Sequence, residues 1–299
     1  MPAHRLGPHV VGQRVVIRRL VRGETGPTGG PAFTDLLGIC TDWAEGWCVV
    51  APESGAPVRI PLADIVSGKP VPPRPSVRHR VSVREAELRT AALFPGLETA
   101  YVGEWQLRAQ PRPDAPVRRR ANSCLAMGDP GAPFDEAVAA VRAFYAARDR
   151  PPLVNVEAAS ETEAAFRSHG WLPVPGDAHF LLASVARARR LLARSPAVAP
   201  ARSVEGDRAR VTVAGRAEGQ AAVDGDWVGL FGLTVEPAYR RQGLATAVLA
   251  ELLAWAAEQG ARTAWLHVET GNDAAIALYE GLGFETHHTY RYLAPGTRP

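Results

Sequence analysis

The clearest periodicity in the chain lies near its C-terminal end. Between residues 241 and 259, Leu244, Val248, Leu249, Leu252 and Trp255 recur at helical spacing, and Gly260 stops the run. Extended segments surround it. Residues 210–215 and 219–223 lead into a hairpin turn at Asp224-Gly225, residues 227–235 return, and residues 263–268 form a further apolar run. Asn272 is placed to cap another helix that ends near Gly281 or Gly283, and residues 284–293 predict a closing strand.

The middle of the chain has a similar order. Residues 105–109 and 120–127 predict strands separated by a proline-rich loop. Residues 134–148 predict a helix with Val138, Val141, Phe144 and Tyr145 on one face. A strand at 153–156, a helix at 161–168 and a stop at Gly170 follow. Residues 180–185 are strand-like, 187–194 suit a short helix, and 195–200 predict a connector. The first block differs, with alternating or β-rich runs at 14–18, 36–40, 47–51 and 58–62. Tight turns at Glu45-Gly46 and Glu53-Ser54-Gly55 punctuate them, and a short turn fits 62–66. The economical arrangement is a small SH3-like β-barrel, and residues 68–75, rich in proline, predict a linker or closing arm. The expected fold class is α/β (α+β), with a barrel at 1–70 and two mixed-sheet units at 80–185 and 203–299. A barrel of this kind suits packing or assembly as well as ligand binding.

Composition narrows the classes. The 299 residues suit two or three domains, and 46% hydrophobic with 22% charged residues excludes wholesale disorder. No apolar stretch approaches the ~20 residues of a membrane span, and the N-terminus lacks a signal-peptide core, so a cytoplasmic location is expected with no membrane partner. The 34 basic and 31 acidic residues give a formal charge of +3, too modest for a dedicated nucleic-acid binder. Lys69 is the only lysine, which reads as coding bias rather than an arginine-built surface. Cys40, Cys48 and Cys124 form no CxxC pair, arguing against a disulfide framework or a cysteine zinc site. His287-His288 lacks a third ligand, and neighbours on a strand point to opposite faces, so no metal is expected.

Two segments echo each other. Leu153-Val-Asn-Val-Glu157 leads through a helix to Phe166-x-x-x-Gly170-Trp171, and Leu266-His-Val-Glu269 leads to Tyr279-x-x-x-Gly283-Phe284. The echo suggests a duplication in which the middle copy has lost its chemistry. It carries Phe166 where the other has a phenol, and Gly128-Asp-Pro-Gly-Ala-Pro133 precedes its helix.

The chemistry-bearing stretch is Leu233-Thr-Val-Glu-Pro-Ala-Tyr-Arg240-Arg-Gln-Gly243-Leu-Ala245-Thr246. A strand runs into a small-residue turn that opens the long helix. Gly243 lets the backbone approach a ligand, Ala245 keeps bulk away, and the first helical amides can converge on an anion beside Arg240 and Arg241. A pyrophosphate is the natural guest.

This stretch, with Asn272-x-x-Ala-x-x-Leu-Tyr279-x-x-x-Gly283-Phe284, resembles the GNAT superfamily of N-acetyltransferases over residues 205–293. The whole chain more loosely resembles an actinobacterial-type arrangement with an SH3-like domain ahead of GNAT domains. The resemblance implies acetyl-CoA as acyl donor, its pyrophosphate on Arg240, Arg241, Gln242, Gly243, Leu244, Ala245 and Thr246. It implies that the pantetheine arm adds to the strand at Leu233, Thr234 and Val235, with Asn272 near the cofactor. Tyr279 is then the acid that protonates the departing thiolate, the alternative being an aromatic that only packs the core. Glu269 is the candidate base, with Glu236 and Glu218 as rivals and base-free attack or a water relay equally open. The expected activity is direct attack of a primary amine, from a small molecule or peptide, in a ternary complex. The rivals are a lapsed acyl-CoA-binding sensor and a nucleic-acid-binding module using the barrel. The acceptor pocket is expected to draw on the middle block, with Trp105, Phe144, Tyr145 and Trp171 available as walls. A homo-oligomer remains open.

Overall fold

The computed structural model describes residues 6–26, 29–52, 55–71, 80–111, 118–192 and 200–296. Residues 53 and 54 of one expected turn, 72–75 of the expected linker and 195–199 of the expected connector lie outside the described residues. The chain divides into two compact units, Met1–Pro75 and Ser76–Pro299.

The first unit is a five-stranded antiparallel sheet of β1 (Arg14–Thr25), β2 (Pro31–Ala44), β3 (Trp47–Pro52), β4 (Val58–Pro61) and β5 (Ile65–Pro70). Their spatial order is β4-β3-β2-β1-β5. Alternation puts Val15, Ile17, Cys40, Cys48, Val50 and Ile60 into its core, all fully buried. The pairings form an open ladder with β4 and β5 at its edges, and among the described residues none closes it into the expected barrel. Residues 68–70, read from sequence as the start of a linker, instead belong to β5. Gly68 and Lys69 stand opposite Ile17 and Val16, and Pro70 opposite Val15. An edge strand tolerates the proline because its outer side needs no N–H donor.

The second unit opens with α1 (Val83–Leu88) and a 3₁₀ turn at Arg89–Leu93, then β6 (Glu98–Val102), β7 (Trp105–Ala109) and β8 (Cys124–Leu125). Next come α2 (Phe134–Ala146), β9 (Val154–Glu157), α3 (Glu161–Ser168), β10 (Trp171–Ser184) and α4 (Val185–Leu192). The remainder is β11 (Ala201–Glu205), β12 (Arg208–Val213), β13 (Ala217–Asp224), β14 (Trp227–Val235), α5 (Leu244–Glu258), β15 (Thr263–Glu269), α6 (Asp273–Gly281) and β16 (Glu285–Pro295). All eleven strands join one sheet, ordered β11-β12-β13-β14-β15-β10-β16-β9-β8-β7-β6.

The blocks 80–185 and 203–299 are therefore interleaved rather than side by side. β10 follows α3 in sequence yet pairs with β15, while β16 follows α6 yet pairs with β9, and the two meet at the centre. Only β8–β9 and β14–β15 are parallel. α5 is shorter than its pattern suggested, since residues 241–243 form a turn and the helix starts at Leu244. Its Leu244, Val248, Leu249, Leu252 and Trp255 pack on Val211, Ala221, Val228, Leu266 and Val268. Burying each such side chain contributes roughly 1.5–3 kcal/mol. The opposite face is covered by α1 and the 3₁₀ turn, where Ala86, Leu93 and Phe94 meet Phe180, Trp227 and Trp265.

α1, β6 and β11 had no clear signature. α1 is short, and its inward face includes the fully buried Glu87 instead of an apolar residue. It is fixed by a capping box in which Ser82 and Glu85 satisfy each other's backbone amides.

Candidate active site

The site begins where β14 and β15 part. They pair from Trp227↔Thr263 to Leu230↔Leu266 and no further. Beyond that point β14 keeps its hydrogen-bonding to β13, at Thr234↔Glu218 and Val235↔Ala217, after an irregularity between Glu218 and Gln220. Gly232 takes a φ of +63° there, a left-handed conformation that costs glycine little. Leu233, Thr234 and Val235 thus leave their β15-facing edge without a partner strand.

Immediately after β14, Glu236 starts a 3₁₀ turn, Pro237–Tyr239, and the backbone then folds sharply. Arg241 has a φ of +62° and Gly243, the N-cap of α5, a φ of +80°. A non-glycine residue in that region is uncommon and marks a backbone constrained by its surroundings. The first intrahelical acceptor is the Gly243 carbonyl, bonded by the Ala247 amide at 3.0 Å. The amides of Leu244, Ala245 and Thr246 precede that bond and have no intrahelical partner. Leu244 offers only its backbone, because its side chain is buried in the core. Thr246 Oγ1 donates back to the Gly243 carbonyl at 2.6 Å. Arg240 donates through Nε to the Val235 carbonyl and Gln242 through Nε2 to the Ala238 carbonyl, bracing the turn from both ends. The first turn of α5 carries no acidic side chain. Strand edge, turn and helix start form one continuous polar track suited to an extended ligand ending in a pyrophosphate.

A cleft of about 400 Å³ occupies the fork between β14 and β15. Leu233, Asn272 and Tyr279 line it, with Glu269, His267 and Arg120. Tyr279 is buried, its ring edge-on to Phe284 at 5.7 Å. Burial pushes its phenol up to about 12, so it holds its proton at neutral pH. Asn272 caps α6 by accepting the Ala275 amide at 3.2 Å. The fork thereby gathers the strand edge, Asn272, Tyr279 and Glu269. Of the rival bases, Glu218 is engaged by Arg210 on the neighbouring strand, and Glu236 lines neither cleft described here.

A second cleft, about 630 Å³, adjoins the first and shares Arg120, Gln220, Phe231, Gly232 and Glu269 with it. Its remaining walls include Arg118, Arg119, Phe94, Tyr290 and Tyr292. The middle block lends this cleft Arg118, Arg119 and Arg120, not the four aromatic residues expected from the sequence. Trp105, Tyr145 and Trp171 are fully buried with Phe166 in the core beneath α2 and α3, and Phe144 packs against that core. None of the four lines either cleft.

Behind both clefts lies a buried polar cluster that sequence reading missed. Glu87 Oε1 accepts from His267 Nε2 at 3.0 Å and from His288 Nε2 at 3.2 Å. His288 Nδ1 lies 2.8 Å from His287 Nδ1, and His287 Nε2 reaches the Val81 carbonyl at 2.9 Å. The expectation that His287 and His288 point to opposite faces is corrected here. The β10–β16 register shifts so that Leu181 opposes Thr286 while Phe180 opposes His288, leaving His287 as the extra residue of a bulge. Burial alone would raise the Glu87 carboxyl, but His267 and His288 hold it below the usual carboxylate range. Burial, with Arg120 nearby, pushes His267 down to about 4. The period of two that places Glu269 at the cleft also places His267 on the same strand face, the one signal that could have found it.

A family model described as "Probable histone acetyltransferase Rv0428c C-terminal" matches residues 172–293. The chain is 27% identical, over an aligned span of 322 positions covering 95% of each protein, to "Probable histone acetyltransferase Rv0428c" of Mycobacterium tuberculosis. It is 46% identical over 68 residues to the ribosomal protein bS18-alanine N-acetyltransferase of Escherichia coli K12, a match spanning 23% of this chain and 46% of that protein. The match thus spans about half the length of that relative. Among solved structures, a GCN5-related N-acetyltransferase from Kribbella flavida has a TM-score of 0.56 at 20% identity, covering 75% of this chain and 98% of its own. A functionally unknown conserved protein from Staphylococcus epidermidis has a TM-score of 0.53 at 11% identity, covering 74% and 100%. The chain has a GNAT-type acetyltransferase fold, and the names of its relatives support an acyltransferase enzyme.

Proposed function

We propose that the chain is an acetyl-CoA-dependent N-acetyltransferase that passes the acetyl group directly to a primary amine in a ternary complex. The observation that carries the reading is the fork between β14 and β15, where a free strand edge, an anion-binding turn and Tyr279 meet. Acetyl-CoA is a substrate that supplies the acyl group as a thioester. Arg240, Arg241, Gln242, Gly243, Leu244, Ala245 and Thr246 hold its pyrophosphate through turn and helix amides, with Arg240 and Arg241 adding charge. Leu233, Thr234 and Val235 pair with its amide-bearing arm, and Asn272 flanks it. Glu269, at the junction of the two clefts, takes a proton from the incoming ammonium so that the neutral amine can attack the carbonyl. The C–N bond forms, the C–S bond breaks, the Tyr279 phenol gives its proton to the departing sulfur, and the second proton shed by the new amide nitrogen restores the phenol, leaving N-acetyl amine, free thiol and the one proton held by Glu269. A free thiol has a pKa near ~8.5, far below the phenol, so the transfer is useful only as the C–S bond breaks and the sulfur becomes basic.

The acceptor enters through the larger cleft, and the five-stranded first unit serves packing or assembly as an SH3-like module. Among the described residues no helix is long and apolar enough to cross a membrane. We place the protein in the cytoplasm, acting without nucleic acid. The test is acetyl-CoA calorimetry on the intact chain together with thiol release across an amine panel. Binding with turnover supports the reading. Binding without turnover on any amine would make the chain an acyl-CoA binder, and absence of binding would remove the reading altogether.

A further inference from the structure

The larger cleft has an unbalanced set of charges. Arg118, Arg119 and Arg120 line it together, and among the described residues Glu269 is its only lining carboxylate. None of the three arginines forms an ion pair among the described residues, although the chain pairs many others, such as Arg291 with Glu163 and Asp177. They are held in place by a built turn. The 3₁₀ turn Arg119–Ala121 is clamped by Asn122, whose Nδ2 donates to the Arg118 carbonyl at 3.0 Å and to Gln110 Oε1 at 2.9 Å. Arg120 donates through Nε to the Tyr290 hydroxyl at 2.8 Å, which leaves both of its Nη groups without a hydrogen bond among the described residues. Arg119 reaches the Pro175 carbonyl and lies over the Tyr292 ring at 5.9 Å, and Arg118 lies over Phe94 at 6.0 Å.

A second observation comes from the cleft wall. Tyr292 is 3% exposed, and among the described residues its hydroxyl makes no hydrogen bond of good geometry, with only the Tyr290 hydroxyl near enough to interact. A buried phenol without a well-made hydrogen bond is costly, and beside unpaired guanidinium groups it suits a ligand that brings acceptor oxygens. The cleft is therefore bipolar. Glu269 stands where it joins the Tyr279 fork, and the arginines and Tyr292 supply donors elsewhere around it, between the aromatic rings of Phe94, Phe231 and Tyr290.

We infer that the acceptor is an amine that also carries an anionic group, a carboxylate or a phosphate, bound by Arg118, Arg119, Arg120 and Tyr292 while its amine lies at Glu269. This rests on the acetyltransferase reading and names the substrate class for that site. Polyamines and arginine- or lysine-rich peptides fit poorly, because they would bring positive charge to three guanidinium groups with one carboxylate among them.

The experiment uses matched pairs on the intact chain: L-phenylalanine against L-phenylalaninamide, and phosphoethanolamine against ethanolamine. A lysine-rich peptide is the third arm. The expected result is a kcat/KM about 10–100-fold higher for the anionic member of at least one pair, the range of a charge-assisted contact. Preference in the first pair alone identifies a carboxylate, and in the second alone a phosphate. The double variant Arg118→Gln/Arg119→Gln should bring the ratio within each responsive pair towards one, mainly through KM, and Arg119→Glu should lower it further. Acetyl-CoA affinity, measured separately by calorimetry, tells whether the enzyme reading itself stands. Binding of N-acetyl-L-phenylalanine against its amide needs no turnover and judges the anion site directly. Equal members in both pairs and equal binding of the two products, or preference for the lysine-rich peptide, would overturn the inference while leaving the acetyltransferase reading intact.

Discussion

The segment from β9 through α3 and the segment from β15 through α6 are built alike and have opposite prospects. Each strand is parallel to the one before it, at Cys124↔Val154 and at Trp227↔Thr263. Each helix is capped by a polar side chain, Ser160 onto the Glu163 amide and Asn272 onto the Ala275 amide. Each ends at a left-handed glycine, Gly170 at φ +78° and Gly283 at φ +80°. Each then sets an aromatic pair edge-on, Phe166 with Trp171 at 5.0 Å and Tyr279 with Phe284 at 5.7 Å. The difference lies at the preceding long helix. α5 starts at a left-handed glycine after two arginines, with no acid in its first turn. α2 starts at Pro133 with Asp135 and Glu136 in its first turn. The Asp129 amide ahead of it is taken by Glu104 at 2.7 Å and the Gly131 amide by the Asp129 side chain at 2.8 Å. The same scaffold leaves one helix start free of acids and fills the other with carboxylates. The shared fold is carried by caps, glycines and aromatic pairs, while the difference between the segments is confined to a handful of residues at one turn.

The largest expected effect breaks that asymmetry at the turn. Gly243→Glu should lower acetyl-CoA affinity by more than about 100-fold, since a side chain at φ +80° is strained and its charge opposes the pyrophosphate. Ala132→Glu, at the corresponding exposed approach to α2, should leave affinity unchanged, with one acetyl-CoA bound per chain. Calorimetry on both variants, with far-ultraviolet circular dichroism as the folding check, decides it; a second site that survives Gly243→Glu would contradict the division between the copies.

Tyr279→Phe and Phe166→Tyr exchange the one distinguishing ring. The first should cut turnover roughly 10²–10⁴-fold with acetyl-CoA affinity kept. The second should add no activity and cost about 1–3 kcal/mol, because the new hydroxyl enters a fully buried site. Normal turnover in Tyr279→Phe would return that residue to a packing role.

Glu87 joins α1 to strands on both sides of the interleaved centre, so breaking it should cost stability rather than binding alone. Glu87→Ala should cost about 1–3 kcal/mol for each of the two donors it strands, on His267 and His288. The intact protein should also be acid-sensitive. His267 titrates near 6.5 when unfolded and near about 4 when folded, so between these values the unfolded chain binds more protons and stability falls as pH drops. Glu87, held low in the fold, adds a loss of the same sign below its ordinary value of 4.5. Thermal melts from pH 7.5 to 4.5 should show Tm falling through this window; a flat Tm would be inconsistent with the buried cluster.

The smallest effect should be shared by both copies. Ser160→Ala and Asn272→Ala each remove a helix cap worth about 1 kcal/mol, and denaturant midpoints should fall by similar amounts. Only Asn272→Ala should also raise the KM for acetyl-CoA, because Asn272 lines the fork. Equal kinetics in the two variants would reduce Asn272 to a cap.

Much of this was legible from local pattern. α3 lies at 161–168 and β14 at 227–235, as the spacing predicts, and the Asp224-Gly225 hairpin, the Asn272 cap and the turn before α5 all stand where their residue types require. Those features are fixed within a few residues by hydrogen bonds, side-chain period and backbone freedom. The larger cleft was not legible, because Arg118 and Arg119 fell in the proline-rich loop and Arg120 at the start of an expected strand, and nothing local tells an arginine in a cleft wall from one in solvent. Glu87 was invisible for the opposite reason: a carboxylate in a short amphipathic segment signals an exposed face, and it takes two imidazoles from strands distant in sequence, with the Thr90 hydroxyl, to make its burial tolerable.

The sequence by itself determined most of the strands and helices, the glycine-opened turn from Arg240 to Thr246 and the difference between the two echoing segments, since each depends on neighbours a few positions apart. The tertiary structure alone decided that β10 and β16 change places between the copies, that β14 and β15 part after Leu230↔Leu266, and that a bulge turns His287 onto the side of His288. A strand's pattern states which face is buried but not which strand lies beside it. That choice follows from closing loops of tens of residues and burying the apolar faces of one large sheet, a condition met only by distant segments acting together.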